Sequence, residues 1–258
     1  MLDAIYLTNI PAFLLILVRV TSFFVTLPLF SYRTVPTRHK IAFSFFLAVM
    51  MYFTVPTPSL PIDSEYFLLL LKEMGVGIAV GLLAYIILAA IQIAGGFIDF
   101  QMGFAIANVI DPQTGAQSPL IGQYLYMMTL LFILAVDGHH LMIDGVFYSY
   151  EWIAVDQFLP LRDERWIVFV IQSFNQMFVI AFLMAVPIVG CLFLVDIALG
   201  IIARTVPQLN VFVVGLPLKI FVALSVLVIA MTFYVMLIRN LFETMLMTMR
   251  ELMQLFGG

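Results

Sequence analysis

The chain has 258 residues, of which 64% are hydrophobic and 10% charged, with a formal net charge of −4. A soluble domain of this composition would aggregate, so the chain reads as an integral membrane protein. The small, scattered charge leaves no basic patch and excludes a nucleic-acid partner, and Cys191, the sole cysteine, excludes an intramolecular disulfide or a cysteine zinc cage.

Uncharged runs cover 4–18 and 20–32, 41–62, 74–98, 112–136, 166–195 and 220–238. A membrane-spanning helix needs roughly 20 mostly apolar residues, so the pattern predicts an all-α, polytopic protein with about six long hydrophobic helices, some of them broken. The runs are continuously apolar, whereas a β-barrel needs segments of about ten residues with alternating polarity. Arg19 falls inside the first run, and no basic leader with a small-residue cleavage site precedes it, so this run is expected to be retained. Arg19 itself has three readings, an interfacial snorkel, a pairing within the helix bundle or a contact with an assembly partner. The loop that follows carries Arg33, Arg38, His39 and Lys40 and no acid, while the next carries Asp63 and Glu65. By the positive-inside rule the first of these loops is cytoplasmic and the N-terminus external.

The run from Met74 to Ile98 carries Gly77, Gly81 and Ala84 at small-xxx-small spacing. Such a face lets helix backbones approach closely, here against another helix of the same chain or, as the sharper reading, against a second chain. Directly after it, Gly95, Gly96, Asp99, Gln101 and Gly103 place bendable, polar backbone at the end of a membrane helix. Lipid cannot satisfy freed backbone groups, so such a segment is tolerated only where protein or a water-filled cavity surrounds it. It is expected to line or close a passage. Asn108, Asp111 and Pro112 continue the polar stripe, and Phe104, Ile106, Val109 and Ile110 add the apolar bulk of a constriction that blocks ions by dewetting. The 16 methionines read first as packing residues and second as flexible groups that seal a passage around unlike cargo.

Asp137, His139 and His140 adjoin one another, with Asp144 four residues after His140. Adjacent histidines point in different directions on a helix and no HExxH pattern exists, so the expectation is no metal, the histidines serving as interfacial donors or helix-end groups. Further on, Asp196, Arg204 and Lys219 flank an expected helix break at Pro207, Gly215 and Pro217, where Gln208 and Asn210 can replace lost backbone hydrogen bonds. Each charge either marks a helix end at the water interface or belongs to a pathway. The tail presents Leu241, Met245, Met249 and Leu252 on one side and Glu243, Thr244, Arg250 and Glu251 on the other, an amphipathic helix. One helix from Ile220 to Phe256 would measure about 55 Å, nearly twice a bilayer core of about 30 Å, so part of it is expected to leave the membrane.

Nothing here reads as catalytic. There is no Gly-x-Ser-x-Gly elbow, and Gly75-Val76-Gly77 begins an apolar helix without the preceding strand of a dinucleotide site. No enzyme activity and no cofactor are expected.

Four blocks in order carry a resemblance over nearly the whole chain: Arg33-Thr34-Val35-Pro36; Gly95 through Asp111-Pro112; Asp137-Gly138-His139-His140; and Ala203 through Phe212 followed by Gly215-Leu216-Pro217-Leu218-Lys219. Together they resemble the FliR family, flagellar relatives of the T-type inner-membrane subunit of type III secretion export gates. Asp137 stands where relatives commonly have Asn. The resemblance implies a non-enzymatic, multi-pass subunit of the bacterial inner membrane at the flagellar basal body, assembled with FliP and FliQ beside FlhA and FlhB, through which unfolded flagellar proteins pass. It further implies a single FliR-type domain, with residues 1–165 FliP-like, 166–258 a FliQ-like hairpin carrying the assembly residues Arg204 to Lys219, and the loop from Gly103 to Pro119 a plug. A secondary transporter of a small solute is the alternative, disfavoured because the broken segments show no repeated halves.

Overall fold

The computed structural model describes residues 10–31, 35–56, 61–104, 119–159, 165–208 and 210–257. Among them are eight helices and no strand: α1 (Ile10–Thr26), α2 (Thr37–Tyr52), α3 (Ser64–Met102), α4 (Leu120–Ala135), α5 (Gly138–Trp152), α6 (Arg165–Thr205), α7 (Val211–Ile229) and α8 (Met231–Gly257). The all-helical expectation holds, and among the described residues fewer than six spans are found. Three helices, α3, α6 and α7, are long and apolar enough to cross a membrane, or four spans if α4 and α5 act as one. Among the described residues, the first run yields a 17-residue helix and the second a helix that ends at Tyr52.

The run at 220–238 is divided at Ala230, whose φ of −81° and ψ of 1° end α7 before α8 begins. The single long helix from Ile220 to Phe256 is therefore absent, and no glycine or proline marks the break in the sequence. Gly215 and Pro217, expected to interrupt a helix, lie inside α7. Among the described residues there, only 206–208 and Asn210 are non-helical. Asn210 caps α7, its side-chain oxygen accepting from the N–H groups of Phe212 and Val213 at 3.2 and 3.4 Å. This satisfies two of the donors that every helix start leaves open.

The chain forms two compact units. The first comprises residues 1–87, 136–174 and 243–258. Its core is built from Leu15, Ile16, Phe23 and Phe24 of α1, Val76 and Val80 of α3, Met142 and Val146 of α5, and Met245, Met249 and Met253 of α8. Helices α1 and α3 meet through the small-residue face: a Cβ at Gly77 would overlap Ser22 Oγ and the Arg19 carbonyl, and one at Gly81 would overlap Thr26 Oγ1. Both glycines thus serve an intrachain contact. The tail's apolar side is likewise covered within the chain, since Leu241, Met245, Met249 and Leu252 are buried.

The second unit comprises residues 88–135 and 175–242. Here α3 and α4 cross at two glycines, because a Cβ at Gly95 would overlap the Gly122 backbone. Pro187 inside α6 removes the N–H that would bond the Leu183 carbonyl. Beside it, Tyr234 of α8 donates its hydroxyl to the Met184 carbonyl at 2.7 Å.

Candidate functional site

The polar stripe after the third apolar run is the end of α3 in the second unit, and backbone chemistry shapes it first. Gly103 has a φ of +91°, a left-handed conformation that glycine adopts without a Cβ penalty. That turn lets the Gly103 N–H bond the Phe100 carbonyl at 3.1 Å and the Phe104 N–H bond the Asp99 carbonyl at 3.0 Å. The paired bonds form a Schellman motif that satisfies the last carbonyls of the helix. A Cβ on Gly103 would also stand 2.8 Å from Leu216 Cδ1 of α7, so the turn is pressed against that helix.

The Asp99 side chain works in the opposite direction along the chain. It is 5% exposed, and its carboxylate accepts from the Ile121 N–H at 3.2 and 3.3 Å. A carboxylate placed there satisfies an open donor of α4 and sits at the positive end of that helix dipole. Asp99 therefore ties together the residues on either side of 105–118, its carbonyl closing α3 and its carboxylate holding the start of α4. A Cβ on Gly96 would stand 3.6 Å from Pro119 Cγ, an ordinary contact distance.

Gln101 joins two further helices. Its amide donates to Asp196 Oδ2 of α6 at 2.8 Å, and Lys219 of α7 pairs with Asp196 Oδ1 at 2.5 Å. The Lys219 ammonium also reaches the Gln101 carbonyl at 3.4 Å. Asp196 and Lys219 do not flank helix breaks, as their positions in the sequence suggested; both lie inside helices and neutralise each other. They border a groove of about 430 Å³ lined by Met102, Gly103, Leu199, Phe212, Gly215 and Leu216. The structure thus brings Asp99, Gln101, Gly103, Gly215 and Lys219 into one region of the second unit. Arg204 lies in the last turn of α6, and Pro207 and Gln208 occupy its connector to α7. Ile106, Asn108, Val109, Ile110, Asp111 and Pro112 lie outside the described residues.

A second polar centre, in the first unit, matches the reading of Arg19 as a residue paired within the bundle, though its partners were not named from the sequence. Arg19 is neither a snorkel nor an assembly contact: it is 0% exposed and paired with Glu73, also 0% exposed, through two hydrogen bonds, one of 2.8 Å from Nη2. Its remaining donors reach the Ser149 carbonyl and hydroxyl at 3.1 Å and the Ile153 carbonyl at 3.0 Å, and its guanidinium carbon stands 3.8 Å from the Tyr150 ring centroid. Lys72 bonds Glu73 Oε1 at 2.6 Å and the carbonyls of Ala154 and Val155 at 2.7 and 3.1 Å. Two cations and one anion are buried together because the excess positive charge faces carbonyls at the end of α5, where the helix dipole is negative. A signal was present: Lys72-Glu73 immediately precedes the uncharged run 74–98, offering a countercharge to the arginine isolated in the first run.

His139 and His140 open α5 in the same unit, and they do not diverge. Their ring centroids are 4.2 Å apart at a tilt of 39°. Asp144 turns to a different groove, with Gly145, Tyr148 and Arg250.

Long apolar helices, glycine-mediated crossings and polar groups paired within the helical scaffold define a multi-pass membrane protein. Its relatives make the class specific. Bacterial export proteins, family 1, matches residues 10–245, and the chain belongs to that family. It is 58% identical to the flagellar biosynthetic protein FliR of Bacillus subtilis (strain 168) over 249 residues, 96% of each chain. It is 34% identical over 221 residues to the Yop proteins translocation protein T of Yersinia pestis, covering 83% of this chain and 84% of that one. The FliR protein of Escherichia coli (strain K12) is 28% identical over 212 residues, 82% and 80% of the two chains.

Proposed function

We propose that the chain is a structural and gating subunit of the flagellar type III protein-export apparatus, set in the bacterial inner membrane at the base of the flagellum. The observation that carries this reading is the 58% identity to a flagellar biosynthetic protein over 96% of both chains. An export component works in a complex, and here the partners are FliP and FliQ, with FlhA and FlhB alongside, and the cargo is unfolded flagellar protein. Residues 1–165 serve as the FliP-like part and 166–258 as the FliQ-like hairpin. The chain contributes structure rather than catalysis. The secondary-transporter alternative draws no support from the relatives, by name a flagellar biosynthetic protein and a translocation protein, or from the family of bacterial export proteins.

Within this reading the loop from Gly103 to Pro119 is the plug of the channel. Two features favour that role: the Schellman turn at Gly103 and the Asp99 carboxylate on Ile121 fix the residues on both sides of 105–118. The test of function is replacement of the FliR protein in Bacillus subtilis by this chain. Restored motility, with FliP and FliQ recovered alongside the tagged chain, is expected; a membrane-inserted chain that restores neither refutes the reading. The plug is tested separately by shortening 106–112, which is expected to raise ion leakage in cells that assemble the complex. Unchanged leakage refutes the plug alone.

A further inference from the structure

The segment that starts α5 holds three polar groups that no helix-packing role uses. Asp137 precedes the helix with a φ of +55° and ψ of 22°, and its side chain makes no capping hydrogen bond. A residue at that position ordinarily turns its carboxylate onto the free N–H groups of the first turn. Here the carboxylate is left available. His139 Nδ1 is shielded from solvent and has no hydrogen-bond partner, a state that costs desolvation without return. His140, exposed like Asp137, stacks its ring against His139. One ligand atom from each of the three residues lies within 4.8 Å of the others.

We propose that Asp137, His139 and His140 form a binding site for a borderline first-row divalent ion, of which Zn²⁺ is the type. Two imidazoles and one carboxylate suit Zn²⁺, Co²⁺, Ni²⁺ or Cu²⁺, whereas Mg²⁺ and Ca²⁺ prefer all-oxygen shells. The ion supplies the partner that His139 Nδ1 lacks and uses a carboxylate that does not cap its own helix. Zinc held at about 2.0–2.1 Å from each donor needs roughly 3–3.5 Å between donors. Rotation of the exposed Asp137 and His140 side chains closes that gap while the helix stays in place. Three protein ligands leave a coordination position open to water, so the site is of the exchangeable kind. The site is independent of the export reading.

The experiment uses the full-length chain extracted with the proteins that copurify with it, stripped with a chelator, and titrated with Co²⁺ and then Zn²⁺. The expected result is saturation of one Co²⁺ site with a visible absorption spectrum of fewer than six ligands, reversed by Zn²⁺. Loss of supporting groups around a metal costs 10–100-fold in affinity, so His140→Ala and Asp137→Ala, which remove direct ligands, are each expected to weaken binding by at least about a hundredfold. His140→Cys keeps a Zn²⁺ ligand and is expected to retain binding while adding a thiolate-to-Co²⁺ charge-transfer band. That band places the ion at residue 140, which a purely structural role for the histidine does not do. Absence of saturable binding to the wild-type chain overturns the proposal, as does an unchanged Co²⁺ spectrum in both His140→Ala and His140→Cys variants that copurify at wild-type yield.

Discussion

Removing the anion from the buried charge cluster is expected to harm the protein more than removing either cation. Glu73→Leu leaves Arg19 and Lys72, which are 0% and 7% exposed, without a carboxylate between them. Breaking a buried ion pair by deleting one partner costs about 3–5 kcal/mol, because the surviving charge stays in a low-dielectric site. Here two like charges survive, and the α5 carbonyls offset them only in part. Arg19→Met is different: Lys72 and Glu73 remain as a neutral pair at 2.6 Å, and the loss is of neutral-partner donors to the Ser149 and Ile153 carbonyls together with the donor to Glu73 Oε2. An orphaned buried acceptor costs about 1–3 kcal/mol, and less where Lys72 or water can shift toward it. The double variant should therefore be less destabilised than the sum of the singles, by a coupling of about 0.5–3 kcal/mol. The assay is limited proteolysis of detergent-extracted protein, scored on peptides from 10–87 and 138–159. Since each 1.4 kcal/mol is tenfold in an equilibrium, the Glu73→Leu cost corresponds to about two to four powers of ten in the open population. Equal protection of wild type and Glu73→Leu, or Arg19→Met more susceptible than Glu73→Leu, refutes the charge argument.

Gly81→Ala is expected to loosen α1 from α3 and lower the thermal midpoint, because the new Cβ overlaps Thr26 Oγ1 and stands 2.9 Å from the Phe23 carbonyl. Gly75→Ala, with nothing within 4 Å, is the matched control and should gain about 0.5–1 kcal/mol from helix propensity; equal midpoints for the two variants would remove the packing argument. Gly103→Ala should weaken the end of α3 by about 1–2 kcal/mol through its positive φ, with the Leu216 contact adding to this, read as faster amide exchange at Gly103 and Phe104. At the Asp196–Lys219 pair, Asp196→Lys sets two cations together and should reduce recovery of the complex, while the exchange Asp196→Lys with Lys219→Asp restores it; failure of the exchange to rescue would show that the pair's position, not its charge, matters.

What the sequence disclosed follows from which interactions are local. Helices α3 and α6 were legible because uncharged runs report burial in an apolar medium directly, and the small-residue spacing at Gly77 and Gly81 was read correctly as a close helix contact. The division of α7 from α8 was not legible: Ile229-Ala230-Met231 contains no helix breaker, so the break depends on tertiary packing that overrides propensity. The opposite error occurred at Pro217, where a breaker is carried inside a helix. Arg19 was visible as an anomaly, but its partner is 54 residues away, and a distance in sequence of that size has no periodic signature. The same holds for Asp196 with Lys219 and Gln101. Their charges were noticed one at a time, whereas their pairing is what removes the cost of placing them among apolar helices.

These pairings also move the argument for partner chains to different residues. The Gly77–Gly81 face, the Asp99 carboxylate and the amphipathic tail looked like surfaces awaiting another protein, yet each is satisfied inside this chain: by Ser22 and Thr26, by the Ile121 N–H, and by burial of Met245, Met249 and Leu252. What stays uncovered is α6 and α7. Only 28% and 17% of their most apolar stretches are buried, against 56% for α3. Exposed Phe178, Phe182, Phe193, Phe212, Phe221 and Ile229 carry that surface. Hydrocarbon accepts these side chains as readily as protein does, so apolar exposure alone does not demand a partner in a membrane. The Asp196 and Lys219 side chains, 37% and 20% exposed on the same two helices, are not so accommodated, because partly exposed charge is tolerated at membrane depth only beside water or protein. It is around this ion pair, rather than along the glycine face or the tail, that an assembly partner or an aqueous passage has a physical reason to sit.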